Sequence, residues 1–326
     1  MRPVLFGFHL PLLGQLDFPA YFTLLTLGFG MAMLLTVRES KKLGQDPELI
    51  LDTNLWMVVW GIIGARVLHL IADGHIHDYV NLCVDPKLVP AIDARVSWCA
   101  TAAQCGYDYL CDTVTHKCYP PKDCLAAIKV WRGGLAYYGG FIFAVGFAWH
   151  FVKKHKLGWW KTADLASPGI MLGLFFGRLG CFLNGCCYGK QTSSWVGVVF
   201  PRGGSAWRAQ VDAHLITAAE RTLPVHPTQL YESAACFVIF LILYYWVRPR
   251  RRAFGDVFAW MLILYAVARS LCEIFRDDDR GVLFGFLSTS QIISVPLLVG
   301  GLALLVFSRR KKAGASVEKC DVASSS

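Results

Sequence analysis

Three arginines stand where charge is expensive. Arg66 lies in GIIGARVLHL, Arg178 in FFGRLG and Arg269 in LYAVARSLCEIFRD. An ionisable side chain in an apolar run marks a polar pocket or an ion pair, not a lipid-facing surface. A guanidinium stays charged, and its planar fork fits two oxygens of a phosphate or carboxylate. Three of them inside one bundle would hold an anionic group. Two other arrangements fit the same residues: ion pairs with Glu232 or Glu273, and side chains that snorkel to the interface. Arg269 and Glu273 are four apart, and Glu273 and Arg276 are three apart. Tyr265 precedes Arg269 by four, so all four lie on one helix face.

Other chemistry-bearing residues cluster in short strings. GRLGCFLNGCCYGK adds Asn184 and three thiols, Cys181, Cys186 and Cys187, on a glycine-rich backbone. VHPTQLYES brings His226, a base or ligand or a structural interfacial histidine, and Gln229 and Glu232, which would line a polar cavity. GGLAYYGGF sets Tyr137 and Tyr138 between glycine pairs that permit close helix approach. Tyrosines at the end of an apolar span also serve as interfacial anchors. His69, His75 and His77 have no metal-binding spacing, and no metal site is expected.

The frame for these residues follows from composition. The chain has 326 residues, 55% of them hydrophobic and 17% charged, against about 25% charged in an ordinary soluble domain. Apolar blocks recur at about 19–37, 52–72, 135–152, 163–183, 227–247, 255–273 and 289–308, each near the roughly 20 residues that cross a bilayer. They predict an all-α polytopic membrane protein with seven transmembrane helices. The net charge of +9 is not a nucleic-acid surface, because it is gathered beside the apolar blocks. The clusters are Arg38, Lys41 and Lys42; Lys153, Lys154, Lys156 and Lys161; Arg248, Arg250, Arg251 and Arg252; and Arg309, Arg310, Lys311 and Lys312. They follow the first, third, fifth and seventh blocks. Basic flanks stay in the cytoplasm, so the N-terminus is expected outside and the C-terminus inside.

The start of the chain shows no cleavable signal peptide, and the first helix is expected to remain as an anchor. Residues 1–308 read as one integral membrane domain, and 309–326 as a disordered cytoplasmic tail. Two polar segments, 73–134 and 184–226, then fall outside and are too long to be simple connectors. The first is an insert with six cysteines: Cys83, Cys99, Cys105, Cys111, Cys118 and Cys124. An even number on an oxidising face predicts disulfides, with the pairing left open. The second is expected to form a small head of strand-like and turn-like pieces, WVGVVFPRGGSAWRAQVDAHL, that touches the membrane surface or a partner.

An ordered set of strings resembles the prolipoprotein diacylglyceryl transferase family: GARVLH, RGGLAYYGG, GLFFGRLGCFLNGCCYGK, HPTQLYES, ARSLCEIFRDDD and STSQIISVP. The resemblance runs from about residue 19 to 308, apart from the cysteine-rich insert, and depends on the order rather than on one string. It implies an enzyme of the bacterial inner membrane, crossing it several times. Such an enzyme moves the diacylglyceryl group of phosphatidylglycerol to the lipobox cysteine thiol in the signal peptide of a preprolipoprotein. Glycerol phosphate leaves. The resemblance assigns the phosphate to Arg178 and Arg269. It places Asn184, Gln229, Tyr231, Glu232, Tyr265 and Glu273 around the same cavity, and matches Tyr21 to a functional tyrosine of the first span. The reaction so implied calls for no cofactor.

The chain departs from the family pattern at three positions. Tyr138 stands where many members carry a histidine, Cys181 where an asparagine is usual, and Cys186 where an acidic residue is usual. Tyrosine, with a pKa of about 10, is a weak base, so Tyr138 is assigned an orienting role. The three thiols leave two alternatives open: a membrane thiol oxidoreductase, or a catalytically altered relative of the transferase.

Overall fold

The computed structural model describes residues 4–10, 14–72, 74–89, 99, 110–112, 114–129, 134–202, 204–217, 219–276, 282–283, 287–288 and 292–308. Cys105 and the tail 309–326 lie outside the described residues. A helix lies at each of the seven apolar blocks. These are α1 (Ala20–Lys42), α2 (Pro47–Ala72), α4 (Tyr137–Lys154), α5 (Trp159–Asn184), α7 (Thr228–Leu241), α8 (Asp256–Glu273) and α9 (Ile292–Ser308). A π-helical segment, Ile242–Val247, extends α7. Four of these helices are long and apolar enough to cross a membrane: α1, α2 as far as Ile71, α5, and α7 with its extension. The shorter helices are α3 (Ile76–Val84) and α6 (Ser205–Asp212). The chain divides into two compact units, 1–50 with 157–326 and 51–156.

In the first unit the N-terminal residues form a hairpin of β1 (Val4–Leu10) and β2 (Gly14–Pro19), with Phe8 opposite Leu16. α1 runs along α5, α5 packs on α7, and α8 packs on both α5 and α7. Their core holds Met171, Ile239, Leu243, Val247, Val257 and Met261. A buried carboxylate fixes the start of α8. Asp164, on α5, accepts hydrogen bonds from the backbone N–H of Gly255 at 2.8 Å and Phe258 at 2.9 Å. Those donors have no partner inside their own helix, so a charged acceptor from a neighbouring helix satisfies them and sets its position.

In the segment 184–226, where strand-like and turn-like pieces were expected, isolated β-bridges join Gln191 and Val198 to Val225, and a helix, α6, is present as well. Ala206 and Gln210, four apart, are buried on one face of α6. Gln210 Oε1 accepts from the Leu223 N–H at 2.8 Å, which ties α6 to the returning chain. Phe200, Ala206 and Val225 form a small core there. Trp195 stands clear of it, 94% exposed.

The second unit contains most of α2 together with α3, α4 and the hairpin β3 (Leu110–Asp112) and β4 (Lys117–Tyr119). Disulfides join Cys83 to Cys124 and Cys99 to Cys111, and Cys118 is disulfide-bonded as well. Gly64 faces Gly139: a Cβ on Gly64 would collide with the Gly139 carbonyl oxygen. The glycines around the tyrosine pair therefore serve a close crossing of α2 and α4.

Candidate active site

The centre of the first unit is one carboxylate met by three arginines. Glu232, on α7, is 2% exposed. Its Oε1 lies 2.9 Å from Arg178 Nη2, which comes from α5. Its Oε2 lies 3.7 Å from Arg269 Nη1 on α8 and 3.7 Å from Arg276 Nη1 just beyond α8. Glu273 stands beside them, with Oε2 3.0 Å from Arg269 Nη2 and 3.9 Å from Arg276 Nε. Tyr265 donates its hydroxyl to Glu232 at 3.4 Å. Of the three arginines singled out in the sequence, Arg178 and Arg269 are ion-paired here with Glu232 and Glu273, and Arg276 joins them. Among the described residues, three guanidinium groups against two carboxylates leave one formal positive charge. An excess cation at a largely desolvated position attracts an anion far more strongly than it would in water.

The glycine-rich string holds these elements together at one end. α5 stops at Gly185, whose φ of 74° is left-handed. The Cys186 N–H returns to the Cys181 carbonyl at 3.2 Å and the Gly185 N–H to the Phe182 carbonyl at 3.2 Å, the paired bonds of a Schellman-type helix end. The chain then becomes a strap across α7 and α8. Gln229 Nε2 donates to the Cys186 carbonyl at 2.6 Å, and Thr228 Oγ1 to the Cys187 carbonyl at 2.9 Å. The Gly189 N–H donates to the His226 carbonyl at 2.9 Å and the Lys190 N–H to the Phe275 carbonyl at 2.8 Å. Gly189 has no room for a side chain, since a Cβ there would stand 2.6 Å from Thr228 Cγ2.

Cys181 on α5 and Cys186 and Cys187 of the strap carry thiols, and their sulfur atoms lie within 4.8 Å of one another. Cys187 has φ of 59°, a left-handed conformation that a residue with a side chain adopts rarely. Hydrogen bonds from the Cys181 and Cys186 thiols, with the positive charge of Arg178 and Arg276, hold its thiol below the ordinary range.

The remaining candidates fall into two groups. Tyr21 packs on Gly180, two residues after Arg178, where a Cβ would stand 3.2 Å from the tyrosine ring. His226 Nδ1 lies 3.1 Å from the Tyr231 hydroxyl, with the Phe275 ring edge-on. Asn184 is exposed at the end of α5. Gln229 is buried, and its Oε1 has no hydrogen-bond partner among the described residues. Arg66 and Tyr138 belong to the second unit. Arg66 donates to the carbonyls of Ala126, Ala127 and Gly134 at 2.5, 2.7 and 2.9 Å, and its guanidinium lies 4.8 Å from the Tyr79 ring centre. These bonds tie α2 to the insert. Tyr138, in the first turn of α4, is 54% exposed. Arg276, its side chain 2% exposed, is the residue that sequence reasoning left out of the site. Its spacing from Glu273 was visible, but its reach to Glu232 depends on where α7 lies.

Fold and site together define a mostly helical chain with apolar helices of membrane-crossing length and an arginine–carboxylate cluster buried among them. Residues 8–307 match the prolipoprotein diacylglyceryl transferase family. The chain belongs to that family. It is 38% identical over 195 residues to the phosphatidylglycerol--prolipoprotein diacylglyceryl transferase of Xanthomonas oryzae pv. oryzae (strain PXO99A), covering 57% of this chain and 65% of that relative. It thus spans somewhat less than two thirds of that relative's length. The correspondingly named protein of Clostridium tetani (strain Massachusetts / E88) is 28% identical over 313 residues, covering 96% of this chain and all of the relative. A second such protein, from Clostridium perfringens (strain 13 / Type A), is 27% identical over 293 residues, covering 90% and 91%.

Proposed function

We propose that the protein transfers the diacylglyceryl group of phosphatidylglycerol to the lipobox cysteine thiol of preprolipoproteins in the bacterial inner membrane, releasing glycerol phosphate. The observation that carries this reading is the convergence of Arg178, Arg269 and Arg276 on Glu232, with one positive charge in excess. The chain crosses the membrane seven times, N-terminus outside and C-terminus in the cytoplasm. The insert 73–134 and the head 184–226 then face outside, where the insert's disulfides are stable.

The lipid enters from the bilayer with its phosphate among the guanidinium groups. The thiolate sulfur attacks the glyceryl carbon next to the phosphate ester, the carbon–oxygen bond breaks, and the oxygen leaves with the electron pair. Charge grows on the phosphate as that bond breaks. Fixed guanidinium groups stabilise this growth without reorganising, an effect worth about 10²–10³ in rate per contact. Glu232 and Glu273 hold the guanidinium forks in place before substrate arrives. The Gln229 carbonyl oxygen accepts a hydroxyl of the glycerol head group, and Tyr21, Tyr231, His226 and Asn184 shape the walls. The role assigned to Tyr138 is the orienting of substrate, and that assigned to Arg66 is substrate binding. Purified protein with phosphatidylglycerol vesicles and a lipobox peptide tests the reading. A diacylglyceryl mass gain on the peptide thiol is expected. Its absence overturns the proposal.

A further inference from the structure

The transferase reading leaves the thiols of Cys181, Cys186 and Cys187 unused. We propose that they form a binding site for a thiophilic d¹⁰ cation such as Zn²⁺, whose open fourth position takes the incoming substrate thiol. This inference rests on the transferase reading for the role of the ion, and on geometry alone for the site.

The three sulfur atoms lie within 4.8 Å of one another. In a tetrahedral zinc thiolate, Zn–S bonds of about 2.3 Å put the sulfurs about 3.8 Å apart. Small rotations of the side chains close that gap. Two of the ligands are adjacent in sequence, and neighbouring side chains in extended chain point apart. Here Cys187 is left-handed, at φ 59°, and its sulfur lies within 4.8 Å of that of Cys186. A non-glycine residue is uncommon in that region, and such outliers cluster at functional positions. The backbone of the trio is set before any ion arrives, by the bonds from Gln229 and Thr228 to the Cys186 and Cys187 carbonyls.

Binding exchanges three thiol protons, released to solvent, for one ion. Three protein ligands and one open position are the pattern of a reactive zinc site rather than a structural one. A thiol that takes the open position gives its proton to solvent water. Its sulfur then attacks the glyceryl carbon, the carbon–oxygen bond breaks, and glycerol phosphate leaves with the electron pair. The thioether product, a weak ligand, departs from the ion. A metal-bound thiolate removes the need for a strong base, which Tyr138 does not supply. It also revises the expectation that no metal takes part.

The full-length protein in phosphatidylglycerol nanodiscs, its insert disulfides left oxidised, is titrated with Cd²⁺. The ultraviolet charge-transfer band of a cadmium thiolate is read. One ion per chain is expected, displaced by Zn²⁺. Each of Cys181→Ser, Cys186→Ser and Cys187→Ser weakens binding at least about tenfold, while the C236S/C272S variant keeps the full band. X-ray absorption of the zinc-loaded native protein reports three sulfur ligands at about 2.3 Å and needs no variant to fold. No band, or a band unchanged in all three variants, overturns the site. For the role, chelator-stripped protein loses transfer at least about tenfold and regains it with Zn²⁺. Full transfer by stripped protein overturns the role. If loaded protein also transfers nothing, the transferase reading and the role fall together, while the cadmium band and the sulfur count still judge the site.

Discussion

Glu232 and Arg178 face each other from α7 and α5 at 2.9 Å, and the same carboxylate reaches Arg269 and Arg276 with its other oxygen. One side chain therefore holds three cations that come from different parts of the chain. Replacing it with glutamine leaves the packing volume nearly unchanged and removes the one acid that, among the described residues, is common to all three. Leaving buried charge uncompensated costs about 3–5 kcal/mol. Glu232→Gln should lower thermal stability, and should reduce kcat/KM for peptide lipidation by at least about 10²-fold. Transfer at the native rate would contradict the role given to Glu232.

Lysine keeps the charge of arginine and loses the fork. Arg178→Lys and Arg269→Lys are expected to lose about 10²-fold or more in kcat. Arg276→Lys should fall by a comparable factor, because Arg276 meets the same carboxylate oxygen as Arg269. Single-turnover measurement of the lipidated peptide separates this loss of chemistry from weaker lipid binding.

The strap admits no side chain at Gly189. Gly189→Ala pushes a methyl group against Thr228 and the Phe275 carbonyl. Overpacking of this kind costs about 1–3 kcal/mol. The variant should melt at lower temperature and lose transfer activity, even though no chemical group of the site has been removed. A melting curve that matches the native one would show that the strap can shift.

Orientation has a direct test. Ser194 and Lys154 are both exposed. A membrane-impermeant thiol reagent should label Ser194→Cys in intact spheroplasts above the native background, and Lys154→Cys only after the membrane is opened. The reverse pattern would invert the topology.

The insert is closed by Cys83–Cys124, a bridge that spans 41 residues. Constraining a loop of that size stabilises a fold by roughly 2–4 kcal/mol. Cys83→Ser with Cys124→Ser should make the segment between them sensitive to added protease under conditions where the native insert resists cleavage.

Much of this arrangement is legible in the sequence because a bilayer imposes simple rules. Uninterrupted apolar runs give the helices, and the spacing of Arg269, Glu273 and Arg276 gives their common face. Glu232 as the meeting point is not legible. Its partners lie 54, 37 and 44 residues away on other elements, and only the packing of α5, α7 and α8 brings them to it. The hairpin at Val4–Pro19 pairs a nearly continuous apolar string, VLFGFHL, with a short alternating one, GQLDFP, and neither is long enough to mark a strand by itself. α6 is short, and its helical pattern rests on one buried pair, Ala206 and Gln210. Disulfide pairing depends on how the insert folds, and counting cysteines does not fix it.

The strap from Cys186 to Lys190 is fastened almost wholly by peptide groups. Gln229, Thr228, His226 and Phe275 all meet its carbonyl oxygens or amide hydrogens. Architecture and reactivity are thereby uncoupled along the same five residues. Gly189 is locked, because the scaffold itself passes through it. The side chains at 186 and 187 hang from a track that other residues carry, so the reagents displayed there can be exchanged without rebuilding the track. A protein built this way can acquire thiols beside its phosphate-holding cations and keep the geometry of those cations intact.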